Sequence, residues 1–118
     1  MYSHRSLRAW QESHEIVLEV VAISRVSWQP WAAAMFSQLQ RSSLSVQLNL
    51  AEGYAYGRSK TTLRLWRVAY GSAIETGDLL RLLGKTGVID GSTAESLARR
   101  NDGIQRLIWG LITAINEG

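Results

Sequence analysis

The sequence contains no cysteine, a single proline and only two histidines. Without cysteine there are no disulfide bonds, no thiol catalysis and no zinc sites built from thiolates. A di-iron site in a helical bundle needs two Glu-x-x-His motifs, and neither His4 nor His14 has a glutamate three residues before it. Glu12, His14 and Glu15 do not share one helix face, which disfavours a mononuclear site. We therefore predict no metal and no cofactor.

Long hydrophobic runs are also missing. Residues 16–23 are interrupted by Glu19, and residues 107–115 contain Gly110 and Thr113, so both stretches fall short of the ~20 apolar residues of a membrane span. The polar N-terminal segment lacks the apolar stretch and small-residue cleavage site of a signal peptide. The expectation is a soluble, cytoplasmic protein that does not contact a membrane.

The composition that remains is typical of one folded domain. Of 118 residues, 46% are hydrophobic and 19% are charged, which excludes disorder and allows a buried core without crosslinks. We predict a single domain over residues 1–118. The net charge is +3, and arginine outnumbers lysine eleven to two. This excess permits a polyanionic partner without requiring one.

Three breaks divide the chain into four segments. They are Pro30 and the glycine-containing residues 56–59 and 87–92. In each segment apolar residues recur at intervals of three and four, and none alternates with the period of two expected of a half-buried strand. Ser92 and Glu95 fit a capping box that would start the last helix. Because the links are short, we predict an all-α, antiparallel, up-down-up-down four-helix bundle.

The apolar periodicity also predicts which residues are buried. In the first helix the predicted stripe comprises Leu7, Trp10, His14, Val17 and Val21, widened by Ile16, Val20 and Ile23. In the last helix it comprises Leu97, Asn101, Ile104, Ile108, Leu111 and Ile115.

The first and last helices carry more apolar surface than one buried stripe requires. A helix that is apolar around most of its circumference has a second buried face, and the chain has no fifth element to cover it. We therefore predict a homo-oligomer whose interface includes Leu18, Trp109 and Ile112. The alternative is that these are the scattered exposed apolar residues of any soluble protein.

A polar stripe runs beside the apolar stripe of the second helix. A polar strip next to a core must find hydrogen-bond partners, and small and polar residues occur at a matching depth of the third helix. We predict a structural network between the two helices or across a subunit boundary, with Arg41 offsetting a carboxylate. Its members are Gln38, Arg41, Ser45, Asn49 and Glu52, together with Ser72 and Glu75. Catalysis by Glu52 and Glu75 is the alternative.

At these residues the sequence resembles a known family. The segments QLQRSSLSV (38–46) and NLAEGY (49–54), with AYGS (69–72) and Glu75, are similar to those of four-helix bundle proteins encoded in 23S rRNA intervening sequences. The matches cover almost the whole chain. Two departures are Gln47, where the family usually has a proline, and Gln40, where it commonly has a second arginine.

This resemblance implies a left-handed antiparallel bundle that assembles into a ring-like homo-oligomer, with a pentamer as the expected size. The sequence also looks like a relative of the accessory protein of diversity-generating retroelements, whose basic ring engages nucleic acid. The resemblance thus implies RNA or DNA as a partner.

A cluster of cations follows the second break. Arg58, Lys60, Arg64 and Arg67 lie in a ten-residue stretch without an acid, and the last three share a helix face. Exposed N–H groups and cations at a helix start can hold phosphate, and the nearby Tyr54 and Tyr56 can stack on bases. These residues predict binding of the RNA or DNA backbone without sequence readout. The alternative is a solvated basic face.

Catalytic patterns are not found. There is no glycine-rich elbow and no Gly-x-x-x-x-Gly-Lys phosphate loop, since position 79 is Leu79 where such a loop would need glycine. We therefore predict a non-catalytic protein. A purely structural protein–protein assembly module and a carboxylate-dependent enzyme are the rival hypotheses. Trp28 and Trp31, on either side of Pro30, suggest either a surface for another protein or a plug at the bundle end.

Overall fold

The computed structural model describes residues 3–117 and contains four α-helices. They are α1 (Arg8–Ser27), α2 (Ala33–Ala55), α3 (Lys60–Lys85) and α4 (Gly91–Glu117), with single 3-10 turns at His4–Ser6 and Pro30–Ala32. No strand occurs in this part of the chain. The prediction of an all-α four-helix bundle is confirmed. None of these helices is both long enough and apolar enough to cross a membrane.

Side-chain contacts define how α2, α3 and α4 lie against each other. Between α2 and α3, Gln38 contacts Glu75 and Ser45 contacts Ser72. Residue numbers rise in one helix as they fall in the other, so these two helices run in opposite directions. The contacts from α3 to α4 follow the same rule, because Arg81 contacts Glu95 while Tyr70 contacts Trp109.

The core lies along the bundle axis and is built mainly from α2, α3 and α4. Leu39, Leu50, Leu80 and Ile108 are fully buried. Ile112 joins them, with 1% of its surface exposed. Its prediction as an interface residue is wrong, since its position places it on the inner side of α4 with Ile104 and Ile108 and leaves no surface for a partner.

The buried stripe of α1 agrees with the predicted one at Ile16 and Val20 and differs from it elsewhere. The residues that face the core are Ala9, Ser13, Ile16, Val20 and Ser24. Val21 is exposed, and Trp10, His14 and Val17 are only half-buried. The hydroxyls of Ser13 and Ser24 are satisfied inside the helix, since they donate to the carbonyls of Trp10 and Val20 at 2.8 and 2.7 Å.

The start of α4 is capped by Asp90 rather than by Ser92. The Asp90 carboxylate accepts hydrogen bonds from the Ser92 hydroxyl and from the backbone N–H of Thr93, the second at 3.0 Å. These bonds lower the pKa of Asp90. Glu95, the predicted second half of the capping box, instead pairs with Arg81 and Arg99. Helix α4 therefore begins two residues before the position that the capping box indicated.

Candidate nucleic-acid interface

Three of the predicted cations share the outer surface of α3. Lys60, Arg64 and Arg67 line one shallow depression whose apolar part is formed by Leu63 and Val68. All three cations are exposed. We call Lys60, Arg64 and Arg67 the three-cation face.

The three-cation face has a positive charge that nearby groups do not cancel. Among the side chains of residues 3–116, no carboxylate lies within ion-pair distance of any of the three. The face also occupies the first half of α3, where cations oppose the helix dipole and the first turn contains no acid. A surface of this kind attracts phosphate.

The turn between α2 and α3 holds this face in place. The Ser59 hydroxyl caps α3 by accepting from the backbone N–H of Thr62 at 3.1 Å. The Thr62 hydroxyl in turn donates to the Gly53 carbonyl at 2.6 Å and ties the start of α3 to the end of α2. Gly57 makes the turn with a φ of 63°, a left-handed conformation that side chains disfavour.

Arg58 is separate from the three-cation face. Its Nη2 donates to the carbonyl oxygen of Ala114 at 2.7 Å, in the last turns of α4. A cation is favourable at this end of a helix because it offsets the negative end of the dipole. Arg58 thus links the α2–α3 turn to the end of α4, and one of its donors is already occupied.

The two tyrosines are also placed differently from each other. Tyr54 lines a cleft of about 420 Å³ with Arg58, Trp66 and Leu111. Tyr56 follows the end of α2 and is 54% exposed, so its ring is available for stacking. The structure therefore divides the six predicted residues into the three-cation face, the Arg58–Tyr54 cleft and the exposed Tyr56.

The predicted polar network forms, in part, between α2 and α3. The Gln38 amide donates to the Glu75 carboxylate at 2.5 Å, and the hydroxyls of Ser45 and Ser72 lie 2.8 Å apart. The Asn49 amide donates to the backbone carbonyl and hydroxyl of Ser45. Five of the seven predicted members therefore meet between the two helices. We call these five residues, together with Ser42 and Thr76, the polar seam; its members are Gln38, Ser42, Ser45, Asn49, Ser72, Glu75 and Thr76.

Arg41 and Glu52 lie outside the polar seam, contrary to prediction. Both are exposed, and Arg41 forms no ion pair with any side chain among residues 3–116. The 3.6-residue turn explains this, since each three-residue step falls about 60° short of a full turn and places Arg41 and Glu52 farther from the buried side of α2 than Gln38, Ser45 and Asn49.

Ser42 and Thr76 belong to the polar seam but were absent from the prediction. The Thr76 hydroxyl lies 2.9 Å from that of Ser42 and 2.8 Å from the Ser72 carbonyl, and both side chains are buried. Their sequence signal is weak, because a hydroxyl that can bond within its own helix is common at any depth.

Glycine is required at position 53 because a side chain, and not a neighbouring backbone segment, packs against it. Trp66 lies against its Cα, and the indole Nε1 donates to the Leu50 carbonyl at 3.3 Å. The atoms that a side chain at position 53 would meet all belong to the buried indole. This contact fixes α3 on the end of α2 beneath the three-cation face.

Four residues that the sequence suggested for contacts with a partner are accessible at the surface. Leu18 is 51% exposed and Trp109 is 54% exposed, with the Trp109 ring 5.4 Å from that of Tyr70. Trp28 and Trp31 are also exposed. These residues are free to contact a partner, and their role in an interface stays a prediction.

The carboxylates considered for catalysis do not form an enclosed site. Glu52 and Glu75 are both exposed, and the Glu75 carboxylate accepts the Gln38 amide. Among the described residues, no group of three His, Asp or Glu side chains is arranged to hold a metal ion.

Comparison with known proteins gives one family match. The family model described as "23S rRNA-intervening sequence protein" matches residues 5–110. Among solved structures, a protein of unknown function from the S23 ribosomal protein family of Bacteroides thetaiotaomicron superimposes with a TM-score of 0.78 at 23% sequence identity. The alignment covers 89% of this chain and 95% of that one. None of the curated proteins matches at a significant level.

Proposed function

The chain belongs to the family of 23S rRNA-intervening sequence proteins, and we propose that it is a non-catalytic helical-bundle protein that binds the backbone of RNA or DNA. The observation that carries this proposal is the three-cation face. It combines Lys60, Arg64 and Arg67 on one exposed surface, without a carboxylate partner among the described side chains.

The chemistry of these side chains suits phosphate better than bases. Guanidinium groups make paired hydrogen bonds to phosphate oxygens, and lysine supplies a mobile point charge. The residues that line this face are three cations and two apolar side chains, without the amides and carboxylates that read adenine and cytosine, so binding is expected to be largely independent of sequence. Tyr56, exposed beside this end of the bundle, can add stacking on an unpaired base.

The proposal is tested by reversing two charges. We expect Arg64→Glu/Arg67→Glu to weaken binding to a mixed-sequence RNA or DNA by about a hundredfold, because each arginine lost removes a charge-assisted contact worth about tenfold. Fluorescence anisotropy at fixed salt measures this, and circular dichroism establishes that the helices are retained.

A matched control separates the three-cation face from net charge. Arg25→Glu/Arg41→Glu makes the same charge change at exposed positions of α1 and α2, and it should retain most of the affinity. Equal losses in the two double variants would refute a localised binding face.

Assembly into a homo-oligomer, expected from the resemblance to be a pentamer, is part of the same proposal. Apolar side chains stay uncovered on the outer surface of the single chain, including Leu18, Leu48 and Trp109. Burying them between copies would be favourable and would repeat the three-cation face around the assembly. A purely structural assembly module, with no nucleic acid involved, is the second candidate, and the same exposed residues favour it.

Light scattering on purified protein tests the assembly. We expect a mass several times the 13.2 kDa of the single chain. A monomer at micromolar concentration would rule out the oligomer and leave nucleic-acid binding to be judged on the charge variants alone.

A further inference from the structure

A second group of cations lines a groove between α1 and α4. Arg8 and Glu12 of α1 face Arg99, Arg100 and Arg106 of α4 across a space of about 370 Å³. We call the four arginines with the backbone of Gly103 the arginine groove. Of the neighbouring helix pairs, α1 and α4 pack together least extensively, which leaves this space open.

Most of the positive charge in the arginine groove is unpaired. Arg99 contacts Glu95 at 3.4 Å, while Arg8, Arg100 and Arg106 form no ion pair with any side chain among residues 3–116. Glu12 is the one carboxylate among the lining residues. Guanidinium groups that converge in this way repel one another, and Arg8 also opposes the dipole at the start of α1.

Arg81 shows what a structural arginine looks like in the same fold. Its guanidinium contacts Asp102 at 2.9 Å and Glu95 at 3.4 Å, and these hydrogen bonds raise its pKa. No comparable pair of carboxylates serves Arg8, Arg100 or Arg106 among the described residues. Carboxylates within the fold therefore balance the positive charge of Arg81, whereas the charges of Arg8, Arg100 and Arg106 have no such partners among the described residues.

Gly103 forms the floor of the arginine groove without being needed for packing. A Cβ at this position would meet only Arg106 Nη2, at 3.8 Å, which is an ordinary contact. Glycine is unfavourable in the middle of a helix. Its effect here is to keep the space between the arginines free of a side chain.

We propose that the arginine groove is a binding site for an anion that carries two or more phosphate groups, distinct from the three-cation face. The arginines come from two helices and are spread along the groove, so they can contact several phosphates at once through paired hydrogen bonds. The phosphates come either from a free polyphosphate or from a stretch of nucleic-acid backbone. Both present the same chemistry.

Isothermal titration with inorganic tripolyphosphate and with short oligo(dT) tests the site and separates the two sources. We expect Arg8→Gln/Arg100→Gln to weaken binding of at least one of these probes by at least about tenfold, from the loss of charge-assisted hydrogen bonds. Loss with tripolyphosphate alone identifies a free polyphosphate as the ligand, and loss with both probes identifies a site that accepts either source. Loss with oligo(dT) alone identifies the nucleic-acid backbone. The control Arg25→Gln/Arg41→Gln removes the same charge from other surfaces and should bind both probes as the unmodified chain does.

A second variant tests the shape of the site while it keeps every arginine. Gly103→Leu fills the floor of the groove and should also weaken the bound probe. If affinity for both probes survives in Arg8→Gln/Arg100→Gln, or if Gly103→Leu binds normally, the arginine groove is not a binding site. Arg64→Glu/Arg67→Glu leaves the groove intact, so failure of the three-cation face does not imply failure here.

Discussion

Replacing Gly53 with alanine is expected to lower the free energy of unfolding by about 2–3 kcal/mol, although alanine is the better helix former by about 1 kcal/mol. The added Cβ would lie 2.6 Å from Cδ1 of Trp66 and closer still to Nε1. Trp66 must then move, and its hydrogen bond to the Leu50 carbonyl is lost. Displacing the packed indole costs about 1–3 kcal/mol, and a buried donor without a partner costs about 1–3 kcal/mol more, so the two together exceed the gain of about 1 kcal/mol in helix propensity.

Gly71→Ala is the matched control for this prediction. Gly71 also lies inside a helix, but a Cβ there meets no atom within 4 Å. Helix propensity then acts alone and should raise the free energy of unfolding by about 0.8–1.0 kcal/mol. Urea denaturation of both variants measures the two opposite signs. A stabilised Gly53→Ala would contradict the packing of Trp66 on α2.

Gly84→Ala should destabilise the fold by about 1–3 kcal/mol, because it overpacks the place where the end of α3 meets the start of α4. A Cβ at position 84 would come within 2.6 Å of the Cβ of Ala94. The Ala94 methyl is attached directly to its backbone and has no rotamer into which it can withdraw. Relief must come from the two helices moving apart.

A compensating substitution makes the Gly84 prediction specific. Gly84→Ala/Ala94→Gly moves the methyl from one helix to the other and removes the clash. We expect the double variant to be more stable than the sum of the single changes by at least about 1 kcal/mol, a coupling typical of side chains in contact. Purely additive effects in thermal or urea unfolding would show that the two helices do not meet at this point.

Local sequence predicts the four helices, but it does not fully predict which residues of a helix are buried or where a helix begins. Apolar spacing of three and four residues indicates four helices, because the α-helical repeat brings such residues onto one side. For α1 the same reasoning identified Ile16 and Val20, but it missed Ala9, Ser13 and Ser24, because small and hydroxyl-bearing residues give a weak hydropathy signal. The cap of α4 was misplaced by two residues because Ser92 and Asp90 are both good capping residues.

The candidate site likewise combines features that local residue spacing predicts with contacts between residues far apart in the chain, which it does not predict. Lys60, Arg64 and Arg67 lie four and three residues apart, so any helix brings them together, and the structure does. Arg58 binds the carbonyl of Ala114, a residue 56 positions away that no local pattern connects to it. The arginine groove escaped prediction for the same reason, since Arg8 and Arg100 come from opposite ends of the chain.

The polar seam is predictable from the sequence only in part. The spacing of Gln38, Ser45 and Asn49 indicates a common surface on α2, and the partners of Gln38 and Ser45 on α3 occur in reverse order, as in any antiparallel pair of helices. The end of the seam is not predictable from spacing, because a small rotation decides whether Glu52 reaches the interface or solvent. In the structure Glu52 is exposed to solvent.

The salt dependence of nucleic-acid binding tests most directly whether the three-cation face contacts phosphate. The slope of log K against log salt counts the phosphates neutralised, at about 0.9 per contact on duplex DNA. Neutralising two of the three cations in Arg64→Gln/Arg67→Gln should therefore make this slope shallower by about 1.8, while Arg25→Gln/Arg41→Gln should leave it unchanged. A slope that stays the same in the first variant, or falls equally in both, would contradict phosphate binding by Arg64 and Arg67.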